Sequence, residues 1–298
     1  MENHGAYKAK YFTLSFCATF FMLVVIYLFL MNAGLSGIQE GAGQEAVHVL
    51  QSQDAYQPDE ADALTLLIFG TERANSVADT FLLLRFDPVR EEVSVVVFPP
   101  QTLLVRDARE ETLADTYRFG GALYTRNALA SFLNIPIDRY ARISLSSFIV
   151  AAGAVGTIEF YLSEDLIVQD GELTVTLNAG VQLLDGRQVA ALIRHQDYPG
   201  GQAQRMEITA ELVCAVINQR IDVVNSTLLD RIFGTIINLL DTDITYADYE
   251  RRINAARHMA GLDEDIARHI PLQGHFSDDG KYFILADTAL AGLARRLM

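Results

Sequence analysis

Six histidines, two cysteines and a surplus of carboxylates are the side chains of this sequence that could do chemistry, and their spacing excludes most of it. His258, His269 and His275 lack the spacing on one element that a metal centre requires. Asp241 and Asp243 resemble the start of a calcium loop, but position six is Tyr246 and position twelve is Arg252, where Gly and Glu are needed. There is no Gly-x-Ser-x-Gly elbow and no phosphate-loop lysine. Gly41, Gly43 and Ala46 spell a dinucleotide-type pattern, yet such a loop must follow a strand, and this one follows a long apolar run. Two cysteines cannot build a disulfide framework or a cysteine-rich zinc module; Cys17 lies inside the apolar run and Cys214 on an apolar helix face. The net charge of −15, from 23 Lys+Arg against 38 Asp+Glu, argues against a nucleic-acid partner, which needs a basic face.

The elements that position any site begin with that apolar run. No charged residue occurs between Lys10 and Glu40, and Tyr11–Met31 is dominated by Phe, Leu, Val, Ile and Met. At about 1.5 Å per residue this stretch is roughly 31 Å long, enough to cross a hydrocarbon core of about 30 Å. Lys8 and Lys10 precede it, so residues 1–10 are expected to be a cytoplasmic tail, 11–31 a transmembrane helix, and the rest extracytoplasmic. A cleaved signal peptide is the alternative, but its apolar core usually spans only about 7–15 residues. Leaving out Glu2, Lys8 and Lys10, the remaining 21 basic and 37 acidic side chains give a net charge of −16. Any anion site on such a domain must be a local basic pocket rather than a global field. Residues 32–62, rich in Gly, Gln, Ala and acids, read as a linker.

From Leu64 the pattern changes. The runs Leu64–Phe69, Thr80–Phe86 and Val93–Phe98 suit strands buried on both faces. Tyr140–Leu145, Thr157–Leu162, Leu173–Leu177 and Lys281–Leu285 are further expected strands. Helices are expected at Ala122–Leu133, opened by Gly120 and Gly121, and at Ser146–Val155. Others are expected after Asp185, over 203–220, 226–240 and 246–259, and after Asp287. Asp185, Thr245 and Asp287 are the expected caps. Mixed helices and strands without a repeat predict an α/β fold over 63–298: one α-β-α sandwich domain with helices on both faces of a mixed central sheet.

Several segments, in order, resemble the LytR-CpsA-Psr family. They are LLIFGTERANSVADTFLLLRFDP, VSVVVFPPQTLL, LADTYRFGGA, FLNIPIDRYARISLSSFIVAAGAVGTIEF and LNAGVQLLDGRQVAALIRHQDYPGGQAQR. The resemblance runs from about Leu64 to the C-terminus. It implies an apolar groove for a polyprenyl-linked lipid, arginines on its phosphate or pyrophosphate, Asp-bound Mg²⁺, and transfer of a glycopolymer to peptidoglycan. Planar arginine forks and a divalent ion would neutralise the pyrophosphate, and a membrane anchor would keep the groove near its lipid.

By the same resemblance, Asp79, Arg194 and Arg205 occupy motif positions and are the expected catalytic residues, with Arg194 and Arg205 also binding lipid phosphate. Gln101 and Gln196 stand where the motif has charged residues and are expected to contribute neutral hydrogen bonds to that phosphate. Glu72, Ala74, Val77 and Ile208 are further departures. Losing two arginine–phosphate contacts would cost roughly 3–6 kcal/mol, about two to four decades of affinity. Asp79 alone would hold Mg²⁺ poorly. The expectation is a degenerate member that binds lipid or an envelope partner with weakened or lost catalysis. The alternative is an active phosphotransferase with an altered site, in which Glu72 and Asp79 hold Mg²⁺; Arg85, Arg106, Arg118 and Arg126 are the candidate substitutes for the lost arginines. A transcriptional regulator is excluded by topology and acidity.

Overall fold

Alternation along three strands sets the architecture. β1 (Leu64–Thr71), β2 (Ala78–Asp87) and β3 (Glu92–Phe98) pair antiparallel, with Phe69 opposite Phe81 and Phe81 opposite Phe98. Side chains alternate between faces, so Leu67, Phe69, Phe81, Leu83, Val96 and Phe98 share one face. Leu66, Ile68, Leu82, Leu84, Val95 and Val97 share the other. β6 (Arg139–Ser144) joins β1 in parallel, β11 (Leu240–Thr242) joins β6 antiparallel, and β12 (Ala267–His269) joins β3 in parallel. The sheet is therefore mixed, in the order β11-β6-β1-β2-β3-β12.

This computed structural model describes residues 56–73, 76–106, 109–170, 173–225 and 229–298. The expected cytoplasmic tail, the span 11–31 and nearly all of the linker lie outside them. Among the described residues no helix is long and apolar enough to cross a membrane.

The first face of the sheet packs on α1 (Leu113–Leu133) and α7 (Asp287–Leu297) through Leu113, Leu129, Leu133, Leu293 and Leu297. Phe69 and Phe81 are fully buried there, each worth about 1.5–3 kcal/mol by burial. The second face meets α4 (Gly201–Arg220), whose Met206, Ala210, Val213 and Ile217 cover Leu82, Val95 and Val97. α2 (Leu145–Val155), α3 (Gly186–Arg194), α5 (Leu229–Ile237) and α6 (Tyr246–Ala260) complete the described helices. The antiparallel pair β7 (Ile158–Leu162) with β10 (Gly180–Leu184) and the hairpin β8 (Leu166–Asp170) with β9 (Leu173–Leu177) between them pack on α3 and α4 around Leu184, Leu192 and Leu212. β4 (Leu103–Arg106) with β5 (Arg109–Thr112), and β13 (Gly274–Phe276) with β14 (Phe283–Leu285), are also hairpins. Helices thus lie on both faces of one sheet, as the sequence predicts.

Several boundaries differ for local reasons. α1 begins ahead of its expected glycines because Thr112 and Asp115 form a capping box, and Gly121 (φ +67) kinks it instead of opening it. α5 stops at Ile237 because the chain turns out to pair β11 with β6. Ala286 is the residue before α7, so Asp287 sits in the first turn rather than capping it. Asp185 and Thr245 do cap, each in a full capping box.

Candidate functional site

A β-bulge places the first acidic group. Gly70 pairs with Thr80 and Thr71 with Ala78, which leaves Asp79 as the extra residue of β2 and turns its side chain out of the ladder. Gly70 permits this: a Cβ there would stand 2.9 Å from Thr80 Cβ. The Thr80 hydroxyl donates to Asp79 Oδ1 at 3.0 Å.

α3 delivers the cation. Asp185 Oδ1 accepts from the Arg187 and Gln188 amides at 2.9 Å, which fixes the helix start. Buried Val189, Ala190, Ala191 and Leu192 fix its face. Gly186 lets it approach α2, since a Cβ there would meet Ala152 Cβ at 2.7 Å. Its last residue, Arg194, places Nη1 3.8 Å from Asp79 Oδ2; the side chains are 19% and 47% exposed.

Arg205, one turn into α4, donates from Nε to the Ile193 carbonyl at 3.0 Å. It thus occupies a carbonyl that the end of α3 leaves without a helical partner. Burial lowers the Arg205 pKa from its ordinary value; the Asp79 carboxylate opposes this and the Arg194 charge adds to it. Tyr198 braces the same turn, donating to the Leu192 carbonyl at 2.8 Å with its ring edge-on to His195 at 4.6 Å.

Asp79, Arg194 and Arg205 therefore converge. Thr71, Thr80 and Ser144, the N-cap of α2, line the mouth beside Asp79 and Arg194, and Gln202 and Thr209 line a cleft with Asp79 and Arg205. Thr80 follows Asp79 in its motif, whereas Ser144, Gln202 and Thr209 were not singled out in the sequence. The other expected residues stand elsewhere. Gln196 is exposed and does not line the mouth, and Gln101 turns inward with Oε1 buried and unpartnered. Glu72 and Val77 are exposed. Arg85 bonds Thr65 and the Met298 carbonyl, Arg126 pairs with Asp243 at 2.6 Å, and Arg118 lies by the ring of Phe119. None of these three lines the mouth, and the side chain of Arg106 is outside the described residues. Of the aromatics inside the resembling segments, Phe148 lines the apolar cavity behind the mouth, Tyr117 packs in the core on the opposite face, and Phe119 is 74% exposed.

Behind the mouth, the second face of the sheet is not wholly covered. A cavity of about 420 Å³ runs between Leu66, Ile68, Leu82 and Leu84 on one side and α2 to α5 on the other. It shares Ile68, Leu82, Ile143, Phe148, Ile193 and Val213 with the mouth. It shares Val216, Ile217, Phe233 and Ile236 with a further space of about 460 Å³ beyond α5. The three form one elongated, mainly apolar slot with the Asp79–Arg194 mouth at one end.

The donor set does not fit a Mg²⁺ ion held by the protein. Asp79 is the single carboxylate at the mouth, and among the described residues no group of three or more His, Cys, Asp or Glu side chains is placed to hold a metal. Mg²⁺ bound by one carboxylate needs the oxygens of a substrate phosphate as well.

Fold and mouth together define an α/β protein with an elongated apolar slot ending in an Asp–Arg–Arg cluster. The chain belongs to the LytR_cpsA_psr family, whose pattern matches residues 25–297. It is 22% identical over 244 residues to the polyisoprenyl-teichoic acid–peptidoglycan teichoic acid transferase TagU of Bacillus subtilis, covering 79% of this chain and 77% of that protein. It is also 22% identical over 196 residues to TagU of Bacillus licheniformis, where the match spans 64% of this chain but only 63% of the relative. The fold is similar to that of B. subtilis TagV, with a TM-score of 0.67 at 19% identity, over 79% of this chain and 95% of that one. It is likewise similar to TagT bound to LIIa-WTA, with a TM-score of 0.65 at 18% identity, over 83% and 94%.

Proposed function

We propose that this is a membrane-anchored cell-envelope protein, with its N-terminus cytoplasmic and its domain outside. It binds a polyprenyl phosphate or pyrophosphate, tail in the slot and head at Arg194 and Arg205, and its catalysis is weakened or lost. One observation carries the reading: the apolar slot ends where Asp79, Arg194 and Arg205 meet. The relatives named as teichoic acid transferases support a place between a lipid-linked glycopolymer and peptidoglycan. By the resemblance, motif cations are missing at 74, 77, 100, 196 and 208, which supports weakened chemistry, and no described arginine at the mouth replaces them. Mg²⁺, if used, enters with the pyrophosphate rather than being held beforehand.

A second reading keeps the phosphotransferase active, and Asp79 favours it. Its carboxylate is half-exposed and steadied by Thr80 at the open mouth, where it can accept a proton from an attacking hydroxyl. The new bond would join the acceptor oxygen to the glycan-linked phosphorus, and polyprenyl phosphate would leave.

Full-length protein in neutral detergent separates the two. Polyprenyl phosphate is expected to bind the wild type and to bind Arg194→Ala at least about tenfold more weakly; equal affinity would remove the mouth from the proposal. Lipid-linked glycan with peptidoglycan oligomers is expected to give little or no product. Turnover that disappears in Asp79→Ala would establish the active enzyme instead.

A further inference from the structure

A second surface lies outside the slot, on the antiparallel pair β7–β10. This pair turns Ile158, Phe160 and Leu162 inward onto the core and every second residue outward. In the outward row Tyr161 stands opposite Val181, and Glu159 opposite Leu183. Tyr161, Val181 and Leu183 are 66%, 63% and 65% exposed, so three large apolar side chains share one open face. Single exposed apolar residues are ordinary; a contiguous row of them marks an interaction surface.

The two edges of the pair differ. On the β7 side Gln219 of α4 takes the place of a strand: Oε1 accepts from the Glu159 amide and Nε2 donates to the Glu159 carbonyl, both at 2.7 Å. Glu159 thus turns both backbone groups away from β10, and in an antiparallel ladder the residue opposite does the same. Leu183, and by alternation Val181, therefore point N–H and C=O at the outer edge of β10, with which no described strand pairs. Folded proteins blunt such an edge with Lys, Pro or a bulge. β10 reads Gly-Val-Gln-Leu-Leu and keeps an unbroken register, so it has none of these. Its surroundings are acidic: residues 157–185 hold six Asp and Glu and no Lys, Arg or His. Glu164, Glu207 and Glu211 line a cavity of about 200 Å³ beside Tyr161. Among the described residues neither they nor Glu159 has an ion-pair partner. Burial and the Glu207 charge raise the Glu211 carboxyl above its ordinary value.

We propose that β10 takes up an extended segment of a partner protein as an added strand, and that this segment is apolar on its outward face and flanked by lysine or arginine. Its backbone meets the free groups of Val181 and Leu183, its apolar side chains lengthen the row Tyr161–Val181, and its cations offset the acidic border. The same acids disfavour the other occupants. A second copy of this chain would bring like charges against like, and an anionic bilayer surface is repelled. This docking does not rest on the lipid reading of the Arg194–Arg205 mouth.

The test titrates full-length protein in neutral detergent with a fluorescent peptide of about ten residues, alternating valine and threonine between lysine pairs, and reads binding by anisotropy. The peptide is expected to bind. L183K, which blunts the edge and repels the peptide, is expected to bind it at least about tenfold more weakly with an unchanged Tm. Two further peptides are expected to lose at least as much: one N-methylated at alternate residues, which cannot complete a ladder, and one with glutamate in place of lysine. Equal binding of the N-methylated peptide marks plain attraction of a cation to an acidic domain and overturns the proposal. So does wild-type affinity in L183K, or a wild type that does not bind the lysine peptide. A wild-type dimer in sedimentation that L183K abolishes gives the face to a second copy and overturns it as well. If L183K does not fold, V181T, which keeps a strand-forming residue, is expected to weaken the peptide severalfold; wild-type affinity in that variant also overturns it.

Discussion

Asp79 owes its reach to its neighbour across the ladder rather than to its own residue type. Gly70→Ala would push a methyl against Thr80, and overpacking of this kind costs about 1–3 kcal/mol. Urea denaturation is expected to show that loss, and the binding of polyprenyl phosphate is expected to fall with it as the bulge shifts. Asp248 gives a residue-level prediction in pH. Partial burial alone would raise its carboxyl, but hydrogen bonds from Arg139 and Thr245 prevail and hold it well below the usual carboxylate range. A depressed carboxylate contributes stability that is full above its unfolded pKa of about 3.9 and fades as pH falls through the folded value. Asp248→Asn is therefore expected to lower Tm at pH 7 and to converge with the wild type in strong acid; a constant gap down the acid limb would contradict it. Asp79, Arg194 and Arg205 were legible because their motif neighbours are distinctive in sequence. Ser144, Gln202 and Thr209 were not, since each reaches the mouth only through the packing of separate helices. Gln101 shows the converse limit, a motif position whose side chain turns away.

Elements with strong local signals were read correctly, and those made by pairing were not. β1, β2 and β3 are long apolar runs, and the boxes at Asp185–Gln188 and Thr245–Asp248 are written in adjacent residues. β11, β12 and β13 are three residues each and exist because a neighbouring strand offers hydrogen bonds, which no window of sequence records. α3 is the element on which the mouth depends, because its first turn sets where its last residue falls. Asp185→Ala is expected to cost about 0.5–2 kcal/mol and to weaken headgroup binding, measured as paired losses in Tm and lipid affinity. Asp185→Asn, which keeps an acceptor oxygen, is expected to recover most of both.

At the scale of the molecule, the two faces of the sheet have opposite fates. Phe69, Phe81 and Phe98 close one against α1 and α7, whereas Ile68, Leu82 and Leu84 line an apolar cavity on the other. Val213 stands where the mouth meets the cavity. Val213→Trp is expected to block isoprenoid binding without lowering Tm, and wild-type binding in that variant would show that the tail takes another route. The asymmetry was half visible in sequence: the runs showed that both faces are apolar, but not that helices α2 to α5 stand back from one of them. A fold with such a hollow shrinks in partial volume when it opens, so hydrostatic compression favours the unfolded chain. A tail that fills the hollow removes that difference, and the lipid-loaded protein should endure compression that unravels the stripped one.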